Sequence, residues 1–329
     1  MKVAVLSFAH ERAATYARLL HGMPGVDVII ADPDGSPDDP ARGEAVARQL
    51  DATYVGSWDE VFALRPEAVV VTSETARRRE LVERAAGIGA HVLCEQPMAT
   101  GEADAQAMVR ACEDAGVRLT LASPACFSPA FDAVRKELAD GDAVGSLTTL
   151  HGTYDGTGAT HGGGVLAANA PYLLDLVDAV LGGEPAQQVY AQANSVLSGQ
   201  PGVESAALVT VRYPSGTVAA IDCSRSVSAD QPAAGGPRMT FIGDQGSLEF
   251  NARPRLLGGY DAAAAGERWV AGGVDLDAVM LGAFVDSVRK GQGAGPDGEA
   301  GVRTLRIIQA AYASVASGRP VDLAVSPTA

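Results

Sequence analysis

The segment Ser7-Phe8-Ala9-His10-Glu11-Arg12 lies between a continuous apolar run and a helically spaced one. Where a strand feeds a helix, the helix N-terminus is a natural seat for a phosphate. A dinucleotide site ordinarily has G-x-G-x-x-G there, so that the backbone turns tightly and approaches the pyrophosphate. None of the three glycines is present. Ser7 and Ala9 are small enough to keep much of the turn around Phe8, and His10 and Arg12 bring groups suited to phosphate oxygens. Asp32 ends the next apolar run, where a carboxylate accepts hydrogen bonds from the adenosine ribose and repels a 2′-phosphate. The alternative at Asp32 is an Asp-Pro turn opening a loop. Together these residues predict NAD as cofactor in preference to NADP, with no arginine for a phosphate before Arg42. The missing glycines leave weak or lost binding open.

A second group lies in "HGTYDGTGATHGGG". His151, Asp155 and His161 are metal-ligating types, but their irregular, Gly-rich spacing sets no coordination geometry, and no metal is predicted. His161 is read as lining the mouth of a substrate cleft, or as an exposed loop histidine. "HGGG" also occurs in hydrolase oxyanion holes, yet the chain has no G-x-S-x-G elbow, which excludes that chemistry. Cys126 is read as a buried thiol before a nucleophile.

The elements that position these residues follow from hydrophobic spacing. "KVAVLSF", "VDVIIAD", "ATYV", "EAVVVTS", "HVLCEQP" and "VRLTLAS" are short apolar runs, as strands buried on both faces require. Helically spaced segments separate them, including "SWDEVFA" behind a serine cap and "RRRELVERAAGIGA" with a glycine stop. Residues 1–122 are therefore an α/β, doubly wound parallel sheet, with ligands at the strand ends near Ser7, Asp32, Thr72 to Glu74 and Glu95 to Pro97. Residues 123–329 change texture. "SLTTLHGTYDGT", "QQVYAQANSVLS", "ESAALVTVRYPSGTVAAIDCSRSV" and "RMTFIGDQGSLEFN" are largely alternating strands joined by turn residues. "VLAANAPYLLDLVDAVLGG", "LDAVMLGAFVDSVRKG" and "AGVRTLRIIQAAYASVASG" are helices. This predicts an α+β domain with a large, mostly antiparallel open sheet, helices on one face and the other face left for a partner or a second subunit.

Composition limits the partners. The 329 residues are 47% hydrophobic and 20% charged, enough for two cores. A net charge of -15, spread along the chain, argues against nucleic acid and anionic membranes. No apolar run reaches the roughly 18 residues of a membrane helix, and "MKVAVLSFAH" enters a strand with no signal-type stretch, so a cytoplasmic protein is expected. The four cysteines lack CxxC spacing and suit reduced thiols.

"HVLCEQP", "FSPAF", "GGGVLAANAPYLLDLV", "YPSGTVAAID", "GDQGSLEF" and "AAYASVASGRPVDL", in this order, resemble the Gfo/Idh/MocA family of glucose-fructose oxidoreductases and inositol dehydrogenases over almost the whole chain. The resemblance implies a Rossmann-type domain followed by a sheet domain that commonly oligomerises, hence a homo-dimer or homo-tetramer. It also implies NAD(P)-dependent oxidation or reduction of a sugar, cyclitol or other small polyhydroxylated molecule, and a cis Gln96-Pro97 bond.

The chain departs from that family at the chemistry. The family's acid/base lysine falls on Gln96, its aspartate on Ala168 and its histidine on Tyr172, while Ser73 stands where proline is usual. Gln96 donates and accepts hydrogen bonds but relays no proton near neutral pH, so its role is positioning. Lys2, Lys136 and Lys290 are the chain's lysines, and none is placed to substitute. Tyr172 is left as the acid/base candidate, with a phenol that would need a nearby cation. Asp175, one turn on, and His161 are its candidate helpers. Thr72, Ser73, Glu95 and Gln96 are candidates to face the cofactor. Arg77-Arg78-Arg79 reads as a solvated helix start, with Arg77 a source of positive charge should it face the cleft. Two functions follow: a divergent dehydrogenase, or a catalytically silent member that binds cofactor or sugar as a sensor or partner.

Overall fold

The computed structural model describes residues 1–141, 143–155, 164–198, 200, 202–225, 236–252, 255–261 and 266–324. The chain divides into two compact units. Met1–Phe127 together with Asp277–Arg306 forms one, and Ser128–Leu276 with Ile307–Ala329 forms the other. The sequence reading drew a single boundary after residue 122; here the first unit runs five residues further and takes back a later segment. That segment is bound by main-chain hydrogen bonds, with Leu121 N–H donating to the Pro296 carbonyl (2.9 Å).

In chain order, the first unit opens with β1 (Lys2–Leu6), α1 (Ala13–His21), β2 (Asp27–Ala31), α2 (Gly43–Leu50), β3 (Thr53–Val55) and α3 (Trp58–Ala63). It continues with β4 (Ala68–Val71), α4 (Arg78–Gly87), β5 (His91–Glu95), α5 (Glu102–Asp114) and β6 (Leu119–Ala122). The six strands are parallel and lie in the order β3-β2-β1-β4-β5-β6, the doubly wound arrangement expected. Val3, Ala4, Val5 and Leu6 are wholly buried, as are Ala68 to Val71, because helices cover both faces. The predicted serine cap forms: Ser57 Oγ accepts from Glu60 N–H (3.2 Å), and Glu60 Oε2 accepts from Gly56 N–H (3.2 Å).

The second unit contains α6 (Pro129–Asp140), β7 (Leu147–Asp155), α7 (Val165–Ala168), α8 (Ala170–Val180), β8 (Gln188–Asn194), β9 (Ala206–Arg212) and β10 (Val218–Asp222). After these come β11 (Gly236–Gly243), β12 (Ser247–Asn251), β13 (Arg255–Asp261) and β14 (Gly266–Gly272). Then α9 (Leu276–Lys290), which apart from Leu276 belongs to the first unit, and α10 (Gly298–Ser317), whose residues to Arg306 belong to the first unit and the rest to the second, lead to β15 (Val321–Asp322). Seven strands form a sheet in the order β12-β11-β7-β10-β9-β8-β15, antiparallel except where β10 runs parallel to β7. Burial alternates along β9, with Ala207, Val209 and Val211 inward and Leu208 more than half exposed. Three elements escaped the spacing argument: α6, the β13–β14 hairpin and the two-residue β15. The hairpin and β15 lack a clear apolar period, whereas α6 carries one in Phe131, Val134 and Leu138 that the reading left unused. The long helix from Val165 is divided at Asn169, ahead of Pro171, into α7 and α8.

Replacing Ser57 by alanine is expected to destabilise the first unit by about 1 kcal/mol, and Ser57→Asp to restore most of it. Chemical denaturation of both variants measures this; an alanine variant as stable as the parent would show that the cap contributes nothing.

Candidate functional site in the first unit

The crevice of a doubly wound sheet opens where strand order reverses, here between β1 and β4. The loops leaving these strands are stitched together. Thr72 Oγ1 donates to the Ser7 carbonyl (2.7 Å), and His10 N–H donates to the Thr72 carbonyl (3.1 Å). Ser7 adopts φ 70°, the left-handed region a glycine would take without strain. Its hydroxyl offsets part of that strain by accepting from Ala9 N–H (3.3 Å).

Three further loop N–H groups are also engaged. Ser7 donates to the Ala31 carbonyl (2.7 Å), Phe8 to Asp32 Oδ1 (3.2 Å) and Arg12 to His10 Nδ1 (3.3 Å). A glycine loop presents such donors to a pyrophosphate. This loop commits five of its six N–H groups, all but that of Glu11, to partners within the protein, so the groups it brings to the start of α1 are chiefly the half-buried side chains of His10 and Arg12. Arg12, which also lies 3.4 Å from Asp277 Oδ1, suits a dinucleotide's phosphates in charge, and His10 suits them as a neutral ring N–H donor, with the α1 dipole behind both.

Beneath the loop lies a buried network. Glu95, wholly inaccessible, accepts from the Tyr16 hydroxyl (2.7 Å) and from Gln96 N–H (3.1 Å), and its Oε1 lies 3.6 Å from His10 Nδ1. Burial opposes the Glu95 charge, but His10, Arg12, the Tyr16 hydroxyl and Arg78 together hold its carboxyl below the usual value. Burial pushes the His10 imidazole down, and Arg78 and Arg12 add to this against Glu95 and Glu11. A neutral ring agrees with Nδ1 accepting from Arg12 N–H.

Arg78 corrects the sequence reading. It is 3% exposed rather than solvated: Nε donates to the Ser73 carbonyl (3.0 Å), and Nη1 donates to the carbonyls of Glu95 (2.7 Å) and Pro97. Arg79 is exposed and pairs with Glu83 and Asp104, and Arg77 pairs with Asp34. The Gln96-Pro97 bond is cis, as the resemblance implied. Gln96 is buried, and its Oε1 accepts from Met98 N–H (3.2 Å), so the amide that stands in place of a lysine braces the turn.

Asp32 also differs from expectation. Its oxygens accept from Arg42 Nε and Nη2 (both 2.8 Å), from Gly43 N–H (2.9 Å) and from Phe8 N–H. The predicted ribose acceptor is thus filled by the protein itself. Of the remaining candidates, Ser73 is buried and its hydroxyl donates to the Glu74 carbonyl (3.2 Å).

In the second unit, Tyr172 and Asp175 lie in the stretch of α8 from Ala170 to Val177, which is buried throughout. The Tyr172 ring stacks on Tyr154, with centroids 5.5 Å apart and planes 18° from parallel. The start of α7 is held by Glu204, whose Oε1 accepts from Leu166 N–H (3.1 Å) and from the Tyr312 hydroxyl (3.0 Å). His161 lies outside the described residues, as does the Asp155 side chain. Cys126 is buried, with Sγ 3.6 Å from Ser123 Oγ. Among the described residues no three His, Cys, Asp or Glu side chains gather as a metal site needs, and no helix is long and apolar enough to cross a membrane.

A parallel sheet in this strand order, followed by a largely antiparallel sheet domain, defines a two-domain oxidoreductase fold. Residues 36–123 match the family described as "Oxidoreductase family, NAD-binding Rossmann fold", and residues 157–323 match "Oxidoreductase family, C-terminal alpha/beta domain". The chain belongs to this Gfo/Idh/MocA oxidoreductase family. It is 26% identical to D-apiose dehydrogenase of Paraburkholderia graminis, over 92% of this chain and 86% of that protein. It is also 26% identical to inositol 2-dehydrogenase of Rhizobium meliloti, over 87% of this chain and 89% of that protein. Among solved structures, a putative myo-inositol dehydrogenase from Sinorhizobium meliloti has the same fold, with a TM-score of 0.81 at 24% identity, covering 98% of this chain and all (100%) of that one. An oxidoreductase from Agrobacterium radiobacter, solved with NAD+, L-tartaric acid and magnesium, superposes with a TM-score of 0.79 at 21% identity, covering 98% of each chain.

His10 protonates at lower pH in the folded than in the unfolded chain, and so does Glu95. The unfolded chain therefore binds more protons on acidification, and stability is lost as pH falls: first below the ordinary histidine value of 6.5, then below the ordinary glutamate value of 4.5. His10→Asn should flatten the upper window and Glu95→Gln the lower, read from melting midpoints across pH. A midpoint that rises on acidification through these windows would contradict the assignment. Arg78→Leu should destabilise the unit by about 3 kcal/mol, because buried carbonyls lose their donors.

Proposed function

We propose that the protein transfers hydride between NAD and a sugar, cyclitol or related small polyol. The observation that carries this reading is the stitched pair of loops at the β1/β4 reversal, with His10 and Arg12 at the start of α1. The family assignment and the relatives named as sugar and inositol dehydrogenases support it.

In this reading His10 and Arg12 hold the pyrophosphate. Ser7, Phe8 and Ala9 shape the turn, and Thr72 and Ser73 fix the second wall. Glu95 supports His10 from beneath, and Gln96 orients the nicotinamide carboxamide or a substrate hydroxyl. A bound nicotinamide supplies the hydride acceptor, and the hydroxyl proton must leave as the carbonyl forms. Tyr172 is the proposed proton acceptor, with Asp175 orienting it or the substrate and His161 lining the substrate mouth. The same reading carries a cytoplasmic protein assembled as a homo-dimer or homo-tetramer, supported by the alternating exposure of β9. Light scattering should then give a multiple of the 33.6 kDa chain, and a single-chain mass would contradict assembly.

Incubation with NAD+ and a panel of aldoses, cyclitols and sugar acids, followed at the NADH absorbance, tests the activity. Tyr172→Phe is expected to lower kcat by about a hundredfold or more while leaving NAD affinity within about twofold. Unchanged turnover would remove Tyr172 from the chemistry. Cofactor binding without turnover of any polyol would favour a binding role over catalysis.

A further inference from the structure

Asp32 stands where an acidic side chain distinguishes NAD from NADP, but its chemistry is already in use. An ionised carboxylate offers about four acceptor positions. Here all four are filled: Arg42 Nε and Gly43 N–H on Oδ2 (2.8 and 2.9 Å), Arg42 Nη2 and Phe8 N–H on Oδ1 (2.8 and 3.2 Å). A ribose diol reaches either oxygen only by displacing one of these donors. The pair is also built into the fold, since the Asp32 side chain is 0% and the Arg42 side chain 18% exposed. Two glycines make room for it. A Cβ on Gly35 would lie 2.6 Å from Arg42 Nε, and one on Gly43 would lie 2.5 Å from Asp32 Cβ.

We infer that Arg42, not Asp32, governs the adenosine-ribose subsite, and that the protein accepts NADP about as well as NAD. A carboxylate rejects a 2′-phosphate through unbalanced negative charge, and in a bidentate pair that charge is matched. The fork contact uses one edge of the guanidinium. Its other N–H groups have no partner among the described residues and are suited to a phosphate. The neighbouring loop acid Asp34 is likewise matched, by Arg77, and Glu44 lies 3.8 Å from Arg48. Asp38 and Asp39 are exposed, and Asp39 accepts from Ala41 N–H (2.9 Å).

This inference rests on the dinucleotide reading above, and one calorimetric experiment separates the two. The full chain is titrated with NAD+ and with NADP+ at one ionic strength. Dissociation constants within about fivefold of each other are expected. NADP+ binding more than about fiftyfold weaker than NAD+ overturns the inference and leaves the dinucleotide reading standing; no binding of either overturns both. Arg42→Ala is expected to weaken NADP+ at least about tenfold while NAD+ changes less than about threefold. Equal weakening of both, with an unchanged melting midpoint, would also overturn it. Should Arg42→Ala not fold, Arg42→Lys serves: it keeps the charge, loses the fork, and is expected to weaken NADP+ to an intermediate degree. A Lys variant with unaltered NADP+ affinity would remove the bidentate geometry from the argument.

Discussion

The buried guanidinium of Arg78 is the contact on which the rest of the crevice depends. Parallel strands end with carbonyls that have lost their ladder partners, and such groups must be paired where water does not reach. Arg78 supplies the donors, binding the Ser73 carbonyl beyond β4 and the Glu95 and Pro97 carbonyls around the end of β5. Two strand ends and the turn at Gln96-Pro97 are thereby fixed to one planar group. Glu95 then has a defined place beneath α1, where it receives the Tyr16 hydroxyl and lies beside His10. Without the arginine, a buried carboxylate and unpaired carbonyls would share one apolar interior.

From that base the first loop is made without glycine. Ser7 takes the left-handed turn, and five acceptors gather the N–H groups: its own hydroxyl, the Ala31 and Thr72 carbonyls, the Asp32 carboxylate and His10 Nδ1. The turn is braced by these bonds, and most of its backbone donors are taken up within the protein. Phosphate recognition therefore passes from main chain to side chain, to an imidazole whose charge depends on pH and a guanidinium whose charge does not. The same economy appears at Asp32, whose carboxylate braces Phe8 and the start of α2 through Gly43.

Much of the fold was legible because its signals are periodic. Five of the six strands of the first sheet carry apolar runs, the edge strand β3 being the exception, and Gly89 and Gly116, just past α4 and α5, both have positive φ. The site was less legible. Ser7, Asp32, Thr72 and Glu95 were found by position at strand ends, but sequence does not reveal which donors occupy a carboxylate, and Arg42 was passed over as remote. Arg78 was readable in principle. It shares a helical stripe with Leu81, Val82, Ala85 and Ala86, all buried, and its flanking arginines masked that period. Tyr16 falls at helical spacing from Ala13 and Leu20, a pattern of core packing that its ring satisfies while its hydroxyl serves Glu95. The single parallel pair β7–β10 within an otherwise antiparallel sheet has no local sequence mark.

The central claim is that a dinucleotide binds at the β1/β4 reversal through the His10 and Arg12 side chains while the loop backbone keeps its internal bonds. A crystal structure of the NAD+ complex tests it most directly. The account predicts pyrophosphate oxygens within hydrogen-bonding reach of both side chains, with Phe8 N–H still on Asp32 and His10 N–H still on the Thr72 carbonyl. A loop that turns its N–H groups outward onto the pyrophosphate, or a dinucleotide bound away from this crevice, would contradict it.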